Sequence, residues 1–221
     1  MMKAHALLGV AMLASACAPS GTRPHDMSTA GHERAAQHEE QLATAAETPD
    51  AGCAAPPCWT VTPEARAEAE RHRDLAARHR AAASALQGAE DRACGGLDEA
   101  SRDESPFMHR ADIASVEELT EEYQIGHSTM HRRVGATVTF RAVPGMTREW
   151  LQRVIDCHIA RNAAMGHDVP EMPDCPLVPM GVTAVVRSVG GAFAVDIHAP
   201  PGDAADEVLR RARSLVTSPG P

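Results

Sequence analysis

The stretch from Met146 to Met180, MTREWLQRVIDCHIARNAAMGHDVPEMPDCPLVPM, limits what this chain can fold into more than any other. Leu151, Val154, Ile155, His158, Asn162 and Met165 recur at three- and four-residue spacing, which places them on one face of a helix. Thr147 supplies the capping oxygen, Glu149 puts negative charge in the first turn, and Gly166 ends the element. A loop stiffened by Pro170, Pro173, Pro176 and Pro179 follows. Such a helix must bury its stripe, and the segments rich in β-branched residues that can supply a sheet flank it on both sides.

Those flanks alternate. Ala136, Val138, Phe140 and Ala142 are interleaved with Thr137, Thr139 and Arg141, the pattern of a half-buried strand. Val182, Ala184 and Val186, then Phe193, Val195 and Ile197, predict two more strands joined at Gly190-Gly191, where both turn positions favour positive φ. Asp203 and Asp206 open a last helix with Ala205, Val208, Leu209, Ala212, Leu215 and Val216 on one face. Residues 112–119 are a further strand candidate, although the three-residue spacing of Ile113, Val116 and Leu119 suits a helix equally well. Residues 120–133 are largely polar and read as a loop. This order, (β)–β–α–β–β–α, predicts an α+β two-layer sandwich: one antiparallel sheet with two helices on one face, ferredoxin-like or a permuted variant with its last strand moved to the front. Only 3% of residues are aromatic, so the core has to be aliphatic.

Upstream the chain is dominated by Ala, Glu, Arg and His. Thr62 as N-cap and Pro63 at the first helical position start a helix that runs to about Ala93. Its stripe (Ala65, Ala69, His72, Ala76, His79, Ala83, Leu86) is thin. Residues 32–47 contain good helix formers with little to bury, which predicts a marginal helix or one that packs on a neighbour, with His32 and His38 in solvent. His72 and His79 lie about 10 Å apart along one helix axis, too far to share an ion, and read as interface or solvent residues.

The first residues supply an address. Lys3 is followed by an apolar run from Ala6 to Leu13, the length of a secretory core and short of a membrane span. Ala14-Ser15-Ala16-Cys17 then resembles a bacterial lipobox, departing from it at Ala14, where that pattern prefers Leu. The resemblance implies lipidation of Cys17 and an outer-membrane lipoprotein facing the periplasm; without lipidation the chain is cut after Ala16 and released. The expected organisation is a signal peptide over 1–16, a tether over 17–61 (mostly disordered or marginally helical), an accessory helix over 62–96 and an α/β domain over 97–221. Export also sets the reading of the cysteines, because disulfides persist in an oxidising compartment. Cys53 with Cys58 and Cys157 with Cys175 are the expected pairs, the second stapling the Pro-rich loop to its helix, with His158 a core histidine bonded to loop backbone.

Competing chemistry is weaker. His158, His167, Met172 and Cys175 are the alternative, a copper or zinc site of soft and imidazole ligands. Adjacent helix residues diverge by about 100°, so Cys157 and His158 do not readily share one ion. The same divergence counts against Asp156-Cys157-His158 as a thiol catalytic set. The chain has no GxSxG, P-loop or GxGxxG signature, and the expectation is a protein that is not an enzyme and needs no cofactor. A formal charge of −9 with no basic stripe argues against nucleic acid. Residues 93–216, most distinctively Cys94, Ser105-Pro106-Phe107, the Phe140–His158 segment and Cys175-Pro176-Leu177, resemble small envelope lipoproteins of GC-rich Gram-negative bacteria. That resemblance brings no catalytic residue with it. The expected contacts are the membrane, through the N-terminal lipid, and an envelope protein partner.

Overall fold

The computed structural model describes residues 27–48 and 61–217; the leader, Cys17, Cys53 and Cys58 lie outside these residues. Ile113–Ile125 (β1) and Ser128–Phe140 (β2) form a long hairpin, Arg148–Ala164 (α4) crosses to Thr183–Val189 (β3), and β3 turns into Ala192–His198 (β4). Asp203–Thr217 closes the domain as α5. Among the described residues three α-helices precede the sheet: Thr29–Glu47 (α1), Pro63–Ala93 (α2) and the short Glu99–Asp103 (α3). The strands lie in the order β1-β2-β4-β3 and every neighbouring pair is antiparallel.

The alternation expected from Gly135 onward sets which sheet face is dry. Ala136, Val138, Ala184, Val186, Val195 and Ile197 are buried beneath Leu151 and Ile155 of α4 and Val208, Leu209, Ala212 and Leu215 of α5. Thr137, Thr139, Val185 and Arg187 occupy the opposite face, where Arg187 and Thr137 both hold Asp196 (Thr137 Oγ1 donates at 2.8 Å). The result is two layers, with helices on one side and solvent on the other.

The structure corrects the reading of residues 120–133 as a loop: they are the outer half of the β1–β2 ribbon, paired from Thr120↔Arg133 to Ile125↔Ser128 around a turn at Gly126-His127. From Thr120 to Arg132 only Tyr123 is even half-buried, so both faces of this ribbon meet water. With no dry face, the apolar alternation that betrays a strand has no reason to exist. Cross-strand pairs hold it instead: Arg132 with Glu121 at 3.1 Å, Arg133 with Glu118 at 3.1 Å, and the Arg132 guanidinium 5.3 Å from the Tyr123 ring.

Both sheet edges are protected. On the outer strand β1, Glu117, Glu118, Glu121 and Glu122 discourage strand addition by charge. At the other edge Gln152 of α4 acts as a substitute peptide group. Its Oε1 accepts from Val186 N–H at 2.7 Å and its Nε2 donates to the Ala184 carbonyl at 3.0 Å, so two of the outward groups of β3 are satisfied.

Over residues 29–47 the second of the two readings, a helix that packs on a neighbour, is the one seen. This segment is a helix, capped by Ser28 (Gly31 N–H to Oγ, 3.0 Å), and it packs antiparallel against α2. Ala36 and Ala43 of α1 and Ala69, Ala76 and Ala83 of α2 are buried at seven-residue intervals, and side chains this small let two backbones approach closely. His38 is exposed as expected; His32 is not, because it faces α2 with Nδ1 3.0 Å from His79 Nδ1. His72 meets Glu39 at 2.6 Å, and Arg73–Glu47 and Arg80–Glu40 complete the seam. Both helical histidines of α2 are therefore interface residues.

Candidate functional site

Helix α4 begins where Thr147 Oγ1 accepts from Trp150 N–H at 3.2 Å, and this cap fixes the phase of three buried polar residues: Cys157, His158 and Asn162. Cys157 points toward α2 and is bonded to Cys94, the residue that ends α2, across a Cα–Cα distance of 4.6 Å. This overturns the expected Cys157–Cys175 pairing. One helix face turns Cys157 toward α2, while Cys175 lies under the connection before β1 as a buried free thiol. No local spacing marks Cys94 as the partner, because the pair is 63 residues apart. The disulfide also removes Cys157 from any thiol chemistry with His158.

His158 is the core histidine expected, but its hydrogen bond goes back to the connection before β1, not forward to the Pro-rich loop: Nε2–H donates to the Glu104 carbonyl at 3.0 Å. Burial disfavours the charged ring and lowers its pKa, against the raising effect of that carbonyl. The neutral form is therefore the folded form. In the unfolded chain the ring protonates near its ordinary value of about 6.5, so the contribution is fully present above that pH and is lost as pH falls through the lowered folded value. Urea unfolding of the wild type should move to lower midpoints between neutral and mildly acid pH, and His158→Gln should flatten that part of the profile. An equal slope in the variant would assign the acid sensitivity elsewhere.

Beyond α4, Gly166 and His167 both take positive φ (72° and 59°), and His167 N–H donates to the Asn162 carbonyl at 2.7 Å, which folds the loop back on the helix. Asn162 Nδ2 then donates to the Leu177 carbonyl at 3.0 Å, and His167 Nδ1 to that of Val178 at 2.8 Å. The four residues of the alternative metal site thus divide. His158 and His167 are engaged with separate carbonyls and tie two different segments to α4. Met172 and Cys175 do meet, in the wall of one cavity.

This cavity, of about 270 Å³, lies between the Pro106–Met108 turn, residues 171–175 and Leu215 of α5. Phe107, Met108, Met172 and Leu215 make it mainly apolar, and Arg110 and Asp174, 2.7 Å apart, close one side. Hydrogen bonds from Ser214 and Arg110 keep the Asp174 carboxyl below its usual range. Cys175 Sγ sits 3.6 Å from Ser105 Oγ. Burial pushes the thiol pKa up; the Leu177 N–H, the Ser105 hydroxyl and the nearby Arg211 charge pull it down. A thiol kept protonated in this way packs, or binds soft ligands, but is not an activated nucleophile. Sequence reading singled out Ser105-Pro106-Phe107 only among the distinctive residues of the resemblance and left Met108 unremarked; the placing of Phe107 and Met108 on this cavity goes with the Ser105–Cys175 contact, 70 residues apart in sequence.

Among the described residues no group of three or more His, Cys, Asp or Glu side chains is arranged to hold a metal ion, and no helix is long and apolar enough to cross a membrane. No family model, curated protein or solved structure matches this chain.

Proposed function

We propose that this is an exported envelope lipoprotein, anchored through Cys17, whose α/β module works by protein contact and not by catalysis. The observation that carries the reading is the Cys94–Cys157 disulfide, buried at both ends and joining the helical hairpin to the sheet domain. Such a bond persists in an oxidising compartment, which is where the leader would deliver the chain. The wet face of the sheet and the projecting ribbon, with Ile125 and Met130 exposed near its tip, supply contact surface. The fold reading is a permuted ferredoxin-like sheet. It is supported by β4 lying antiparallel between β2 and β3, the split arrangement of a β–α–β unit, with β1 added beside β2.

Expression in a Gram-negative host with labelled palmitate tests the address. Wild-type chain should carry the label and sediment with outer membrane, while Cys17→Ser should lose the label and appear in the soluble periplasm. Cytoplasmic wild-type protein with reduced Cys94 and Cys157 would end the proposal. Photo-crosslinking from position 130 in the envelope tests the contact surface, where one discrete adduct is expected and a featureless smear counts against it.

A further inference from the structure

The seam between α1 and α2 is built from two rows of side chains. One row is the buried alanines. The other, three residues after an alanine, holds Glu39 on α1 and His72 and His79 on α2, with His32 seven residues before Glu39. The second row meets in pairs across the seam: His72 Nδ1 lies 2.6 Å from Glu39 Oε2, and His32 Nδ1 lies 3.0 Å from His79 Nδ1. The rings of the histidine pair are 5.3 Å apart between centroids, and His32 is buried. This pair stands near the start of α1, the end of that helix that does not run on into α2. We propose that the His32–His79 contact is an acid-released latch: it holds the start of α1 on α2 at neutral pH and lets residues 29–36 go when both rings are protonated.

The proton count sets the sign. In the closed seam one Nδ1–H donates to the lone pair of the other Nδ1, so the two facing nitrogens hold one proton between them. Apart, each ring takes a proton on both nitrogens. The open state therefore binds more protons, and the latch is closed above the ordinary imidazole range and lost as pH falls through it. The charged groups lining the groove beside the pair are Glu33 and Glu40 of α1 and Arg80 and Asp91 of α2, with Arg80 bonded to Glu40. Glu33 and Asp91 favour a single imidazolium, which the contact accommodates, but no acceptor fits between two Nδ1–H groups 3.0 Å apart. The next pair answers acid the other way. A protonated His72 faces Glu39 at 2.6 Å and Glu68 at 4.0 Å, and the Arg80–Glu40 and Arg73–Glu47 pairs keep their charges until the carboxylates themselves protonate. Opening thus starts at Thr29 and stops near Glu39. Residues 29–36 span about 12 Å as helix and up to about 27 Å extended, so release lengthens the connection to the segment before α1.

The test is amide hydrogen exchange of the full chain, disulfide intact, at about pH 7.5 and about pH 5.5, corrected for the intrinsic pH dependence of exchange. In the wild type, protection over residues 32–36 should fall about tenfold at the lower pH, while residues 40–47 and β4 keep theirs. His79→Gln removes one titrating ring but leaves a carbonyl that accepts from His32 Nδ1–H whether or not His32 is charged. Its residues 32–36 should stay protected at both pH values, and His32→Gln should behave alike from the other side. The second variant decides the matter if the first disturbs the hairpin. Three results would each overturn the proposal: no acid loss in the wild type, an acid loss spread evenly over α1 and β4, or the same acid loss in both variants. Loss of the start of α1 already at neutral pH in both variants would do so too, because glutamine can make the bond that the latch requires.

Discussion

Gly135→Ala should lower the unfolding free energy by about 4 kcal/mol, at the upper end of what single substitutions do. Gly135 lies in β2 opposite His198, at φ 148°, and a Cβ built there falls 1.9 Å from the Ile197 carbonyl oxygen. The obstacle is backbone, so no side-chain rotation relieves it. β4 would have to move away from β2, yet Ile197 is fully buried at the centre of the core and the neighbouring Ala199 N–H is held by the Val134 carbonyl at 2.7 Å. Domains of this kind are stable by only about 5–15 kcal/mol, so the variant should be near its threshold. Gly126→Ala is the control, because φ is 62° there and nothing lies within 4 Å of the added carbon. It should cost about 1 kcal/mol from strain alone. Urea midpoints measure both, and equal losses would mean that the close approach of the two strands is not what requires glycine.

Removing the disulfide is the second large effect. Cys94 and Cys157 are separated by 63 residues, and closing a loop of that size restricts the unfolded chain by roughly 4 kcal/mol in the chain-entropy picture. The bond also has a local task. The helical hairpin rests on a seam of alanines, which bury little apolar area each, and α2 is otherwise tied to α4 by packing and by Glu90–Arg161 at 3.7 Å. A Cys94→Ala/Cys157→Ala chain should therefore unfold at much lower urea and be cleaved by protease near residues 94–98 before the sheet domain is. Reduction of the wild type should reproduce both results, whereas Cys175→Ala should leave the protease pattern unchanged.

The two cases mark what could be read from the residues alone. Alternation at Ala136–Phe140, Val182–Val186 and Phe193–Ile197, the Gly190-Gly191 turn and the cap at Thr147 are local signals, and the corresponding elements formed as read. Residues 120–133 hid their strands because a ribbon wet on both faces loses the alternation on which such readings depend. His32 was misplaced because its burial is decided by His79, on another helix. The site was legible only in part. Helix geometry correctly separated Cys157 from His158, but the disulfide depends on Cys94 at the far end of α2, and the cavity depends on Met108 and Ser105 reaching residues 172–175. Such long-range choices leave no mark in local spacing.

Disulfide mapping of the chain isolated from the cell envelope is the most direct measurement of this account. Thiols would be alkylated under denaturing conditions before proteolysis without reductant. The structure and the proposed address together require a peptide linking Cys94 to Cys157 and an alkylated Cys175. A peptide linking Cys157 to Cys175, or alkylation of Cys94 and Cys157 themselves, would contradict them.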